Sequence, residues 1–139
     1  MPMKNYRTTV PAEKTIGQIQ GILAKHGVRR MMLEYDESGN AIGLAFVIEG
    51  AGSFQLPARV ENVQAILKKQ KVASDMQHAA NTAWRNIKDW IDAQIALVET
   101  GQIELQEAML PYLTVANNQT LYMKMKDEPK PKMIAGGTE

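Results

Sequence analysis

A chain of 139 residues is long enough for one domain with a real core, and 45% apolar with 22% charged residues is ordinary globular composition. With no cysteine, disulfides, zinc fingers and iron–sulfur clusters are excluded by count, and a formal charge of +1 excludes a strongly basic or acidic chain. No apolar run approaches the ~20 residues of a membrane-spanning helix, and the start lacks the apolar core of a signal peptide, so the expectation is a soluble cytoplasmic protein.

Residues 1–13 read as an irregular arm, because Pro2 and Pro11 interrupt any regular element. Thr15 with Gln18 has the form of a capping box, and Ile16, Ile19, Ile22, Leu23 and His26 recur at helical spacing up to Gly27. His26 at the end of this helix fits a cation favoured by the helix dipole, with no catalytic role.

Strands follow. Val28–Tyr35 alternates Met31, Leu33 and Tyr35 with Arg30, Met32 and Glu34. Ala41–Glu49 sets large Ile42, Leu44, Phe46 and Ile48 on one face and Ala41, Gly43, Ala45 and Val47 on the other. The first set is a core face; the small residues leave room for another helix or strand to approach. Asp36–Asn40 and Gly50–Ser53 are turns, and Phe54–Leu56 is a third short strand ending at Pro57, so the segment is an antiparallel meander. G-A-G-S is read as a turn, since a phosphate loop needs a helix after the glycines and here a strand follows.

Arg59–Gln70 forms a second helix with Val60, Val63, Ile66 and Leu67 inward and Lys68, Lys69 and Lys71 at its end. Those lysines complement the helix terminus; together with Arg29 and Arg30 they are also the candidate polyanion contact. Residues 1–34 carry a surplus of four positive charges and the next long helix a surplus of two negative ones, a gradient that fits either a mixed solvated surface or steering of a polyanion.

The longest periodic run is Ser74–Thr100. Met76, Ala80, Ala83, Trp84, Ile87, Ile91, Ile95 and Val98 share one face, Ser74 with Gln77 is a capping box, Asp75 suits the helix N-terminus, and Gly101 stands at the stop. Trp90, Ala93 and Leu97 make a second apolar line. A stripe this wide needs more than one packing partner, so a homo-oligomer with Trp90, Ala93 and Leu97 at the contact is expected, Trp84 being core. His78 beside Asp75 is too local for a triad, and Asp89 and Asp92 read as a solvated face paired with Arg85 and Lys88 rather than a metal or acid–base pair. Beyond Gly101, a short helix ends at Pro111, Tyr112–Ala116 and Thr120–Met125 flank an Asn117-Asn118 turn, and 126–139 is a polar, proline-bearing tail expected to be disordered, leaving 1–125 as a single domain.

The fold class is therefore α+β: a short helix, a three-stranded antiparallel meander, then a helical C-terminal half around one long helix. No catalytic residue, cofactor or metal site is assigned, and the chain is expected not to be an enzyme. The segments L-P-A-R-V-E-N-V (56–63), W-R-N-I-K-D-W-I-D-A-Q-I-A-L-V-E-T-G (84–101) and L-P-Y-L (110–113) are similar to small proteins encoded by bacteriophages and prophages, over residues 5–122. The resemblance carries no site residue. It implies an accessory protein of the kind devoted to evading host defence or to DNA metabolism. A non-catalytic binding protein, acting on a host protein, is the first expectation; a nucleic-acid-binding factor using the basic N-terminal half is the alternative.

Overall fold

The computed structural model describes residues 2–72 and 75–129. Helix α1 (Ala12–Lys25) leads to strands β1 (Arg30–Tyr35), β2 (Ala41–Ile48) and β3 (Gly52–Pro57), then helices α2 (Val60–Lys69) and α3 (Met76–Glu99). A short helix α4 (Leu105–Ala108), a 3-10 turn at Leu110–Tyr112, a two-residue ladder of β4 (Thr114–Val115) and β5 (Gln119–Thr120), and helix α5 (Leu121–Asp127) complete it. The class is α+β, with an antiparallel sheet in the order β1-β2-β3 and α3 as its longest element.

Helix α3 has 24 residues, about 36 Å of helix. It is capped by Asp75, whose carboxylate accepts from the His78 amide at 2.8 Å; Ser74, the cap expected from the sequence, lies outside the described residues. It stops as expected at Gly101 (φ 74°), where the Gln102 amide reaches back to the Leu97 carbonyl. Helix α1 begins earlier than its Thr15 capping box suggests. Its first amide, Ala12 N–H, donates to Asn81 Oδ1 of α3 at 2.8 Å, so a tertiary partner replaces the local cap. Thr15 is then buried inside the helix, where its hydroxyl accepts from Arg85.

One face of the sheet forms the core. Leu44, Phe46, Phe54 and Leu56 meet Ile19 and Leu23 of α1 and Trp84 and Ile91 of α3, with Leu67, Leu105 and Met109 closing the cluster. Phe46 and Phe54 stack with ring centroids 5.6 Å apart. The Trp84 indole is fully buried and donates to the Ala41 carbonyl at 3.1 Å, so its one polar atom is paired. Between Glu34 and Tyr35 the β1–β2 register shifts, Ile42 falls out of the pairing, and its side chain stands 41% exposed instead of in the core. Ile66 of α2 is likewise exposed, leaving Val60 and Leu67 as that helix's buried residues.

Among the described residues, the backbone that comes close to Gly43 is that of the neighbouring strand β3. A Cβ there would meet the Leu56 carbonyl at 3.3 Å and the Glu34 carboxylate at 3.4 Å, so its smallness serves its own sheet. The turn expected at Asn117-Asn118 does join two antiparallel arms, but their ladder ends at Thr114 and Thr120, and from Leu121 the second arm is a helix. Thr120 caps it by accepting from the Met123 amide at 3.2 Å, and Lys124 pairs with Glu128 one turn on. Lys126 and Asp127, assigned to the tail by composition, belong to this helix; 130–139 lie outside the described residues.

Candidate functional site

The polar flank of α3 is occupied by the chain's own N-terminus. Asn5, in a left-handed conformation (φ 64°), donates from Nδ2 to Asn86 Oδ1 and Asp89 Oδ2, both at 2.9 Å, and its carbonyl accepts from Thr82 Oγ1 at 3.2 Å. The Met3 amide donates to Gln70 Oε1 at 2.8 Å, and Lys4 pairs with Asp89 at 3.3 Å. His78 Nε2 sits 2.6 Å from the Tyr6 carbonyl; a carbonyl only accepts, so this nitrogen carries the proton. The hydrogen bond from Asn5, then the charge of Lys4, hold the Asp89 carboxyl below the ordinary carboxylate range, against the opposing effect of burial. The arm, irregular in backbone as the sequence suggests, is thus fastened by side chains that look like a solvated helix face in the sequence.

The other charged groups on α3 have structural partners too. Arg85 donates to Thr15 and to Gln18 of α1, and Lys88 pairs with Asp92 at 2.7 Å. His26 donates from Nδ1 to the Ile22 carbonyl at 2.9 Å and turns Nε2 toward the Glu99 carboxylate at 3.3 Å, tying the ends of α1 and α3 together. Among the described residues no three His, Cys, Asp or Glu side chains are grouped to hold a metal ion.

The basic residues fall into two separate groups. Arg29 caps the last turn of α1, donating to the Ala24 carbonyl, beside the His26–Glu99 contact at the far end of α3; Arg30 opens β1 next to it. Lys68, Lys69 and Lys71 flank Gln70, which holds Met3, two residues from the Asn5–Thr82 contact. The arm's anchor points, residues 82 to 89, lie about 15–25 Å from residue 99 along a helix rising 1.5 Å per residue. The fold does not merge the two groups into one phosphate-sized patch.

Trp90, Ala93 and Leu97 line one flank of α3 as the spacing suggests, with Ala93 exposed and the other two half-buried. Trp90 has a partner in its own chain: Tyr112 meets it edge-on, ring centroids 6.0 Å apart. The C-terminal segment therefore covers part of the line that the sequence leaves for a second subunit.

Two features stand out: a cleft that has no marker in the sequence, and the sheet face of Gly43, Ala45 and Val47, whose small residues mark it in the sequence as open to approach. A cleft of about 330 Å³ lies between α1, the N-terminal end of α3 and the β1–β2 hairpin, with Ile16, Leu33 and Ala80 as floor and Glu13, Gln20, Tyr35 and Gln77 in its wall. The second is the outer face of the sheet. Arg30, Met32 and Glu34 of β1 stand opposite Val47, Ala45 and Gly43 of β2, which face Ser53, Gln55 and Pro57 of β3. Met32 is 62% exposed, and with Ala45, Val47 and Ser53 it lines a shallow, mainly apolar depression. Beside the small residues of β2, its trace in the sequence is the Met31-Met32 pair, which makes β1 apolar on both faces where alternation would give one.

Among the described residues no helix is long and apolar enough to cross a membrane. Comparison of the chain with protein-family models, with curated proteins and with solved structures finds no match.

Proposed function

We propose that the chain is a non-catalytic binding protein that acts as a homo-oligomer in the cytoplasm, an accessory factor of the phage type its sequence resembles, with a host protein, such as a component of a defence system, as target. The observation that carries this reading is the outer face of the sheet: an apolar patch of Met32, Ala45 and Val47 bordered by Arg30, Glu34 and Gln55. An apolar centre in a polar border is the anatomy of a protein–protein contact. The histidines and the Asp89 carboxylate support it further, since each is spent on holding helices or the arm in place.

The nucleic-acid alternative draws less support, because Arg29 and Arg30 stand far from Lys68, Lys69 and Lys71. Affinity capture from host cells with wild type and Met32→Glu as baits tests the first reading. It expects a protein retained by wild type and lost by the variant; equal capture by both overturns it. Binding to a duplex oligonucleotide that weakens steeply between about 50 and about 200 mM salt would favour the alternative.

A further inference from the structure

The two edges of the sheet are treated differently by the fold. At β3 the edge is closed: Phe54 bridges to Leu113, and the Gln55 side chain donates to Thr114 and Asn118. At β1 the only strand partner among the described residues is β2, and six residues of backbone run along an open edge. Open edges of that length invite another strand.

The ladder fixes which backbone groups face outward. The Ala58 amide donates to the Ile42 carbonyl at 2.8 Å, so even-numbered residues of β2 bond toward β3 and odd-numbered ones toward β1. Val47, Ala45 and Gly43 therefore bond to Arg30, Met32 and Glu34, and the amides and carbonyls of Met31 and Leu33 point out of the sheet.

We propose that this edge pairs antiparallel with β1 of a second copy, about a two-fold axis at Met32, to make one continuous six-stranded sheet. The inference rests on the homo-oligomer reading above and names its contact. In this register Met31 of one copy exchanges both backbone hydrogen bonds with Leu33 of the other. Met32 faces Met32, and Arg30 faces Glu34, twice by symmetry. These last pairs occupy the non-hydrogen-bonded positions, where Cα atoms come within about 4.5 Å and cross-strand side chains interact most closely. The charges are what commit the edge to its own copy. Arg30 and Glu34 are exposed, opposite in sign, on the same face and equally spaced about an exposed methionine, so the strand is complementary to itself read backwards. A shift by one residue would set core-face against outer-face side chains and is excluded by the pleat.

Sedimentation velocity at tens of micromolar on wild type, Arg30→Glu, Glu34→Arg, the double exchange and Leu97→Glu tests this, with circular dichroism to confirm that each is folded. Wild type and the double exchange should be dimers, and each single reversal should weaken the dimer by about tenfold or more, because like charges then face each other at two symmetric places. A double exchange that stays as weak as the single variants overturns the register. A wild-type dimer untouched by either reversal but split by Leu97→Glu overturns the edge contact and leaves the homo-oligomer reading standing, with its contact on α3. A monomeric wild type overturns both.

Discussion

Asn5 shows how much one small polar side chain can organise. Its left-handed backbone suits asparagine, and its side chain and carbonyl together engage Thr82, Asn86 and Asp89. Asn5→Ala removes the side-chain bonds and keeps the disfavoured backbone, so it should lower unfolding free energy by about 2 kcal/mol; Asn5→Gly relieves the backbone and should cost less. Denaturant titration of the pair checks the order. Asp89 adds a pH dependence. Folding lowers its pKa, so its contribution is fully present above the unfolded value of about 3.9 and is lost as pH falls through the lower folded value. The melting-temperature gap between wild type and Asp89→Asn should therefore narrow below about pH 4. A gap that holds constant to pH 3 would show that the charge on Asp89 does not fasten the arm. Lys71 poses the opposite case. It sits at φ 62° just past α2, where the Val72 amide returns to the Leu67 carbonyl, a position that favours glycine. Lys71→Gly should raise stability by up to about 1 kcal/mol, measurable as a higher denaturation midpoint.

At the scale of elements, α3 organises the fold because its apolar stripe meets the sheet while its polar flank receives the arm and α1. Trp84 anchors the first of these. Trp84→Ala should cost about 3–5 kcal/mol through lost burial and a cavity. Trp84→Phe, which keeps most of the apolar volume but leaves the Ala41 carbonyl without its donor, should cost about 1–3 kcal/mol. Chemical denaturation that finds the two variants equal would show that the indole hydrogen bond adds nothing. Trp90 differs: half-buried against Tyr112, it joins the C-terminal segment to α3 from the side. Helix α5 shows why short elements escape pattern reading. Leu121, Met123 and Met125 alternate with Tyr122, Lys124 and Lys126 as in a strand, yet β4 offers only two residues to pair with, and the Thr120 cap sets the segment winding.

At the scale of the whole molecule, the described residues put helices on one face of the sheet and leave its other face and one edge for partners, and the proposed β1–β1 pairing would use the edge while doubling the face. The amides of Met31 and Leu33 then report directly. Hydrogen exchange at these two positions should slow as protein concentration rises through the dimer range, while the β2 amides, already bonded within the sheet, stay constant. Exchange at Met31 and Leu33 that is independent of concentration would count against the edge contact.

Periodicity and punctuation alone determined the elements that are long or sharply bounded. The stripe through Trp84, Ile91 and Ile95 and the stop at Gly101 marked α3. The alternation of Leu44 and Phe46 between Asp36–Asn40 and Gly50 marked the meander, because burial on one face writes a period into the residues. Tertiary structure decided whatever depends on a partner distant in the chain. The cap of α1 is Asn81, the ligands of Asn5 are residues 82–89, and the cover on Trp90 is Tyr112, none of which has a local signature. It also decided which surfaces stayed open. A strand's sequence shows that it has two faces, but whether its edge is paired depends on where the chain's other segments come to rest, and here the described segments closed the edge of β3 and left that of β1.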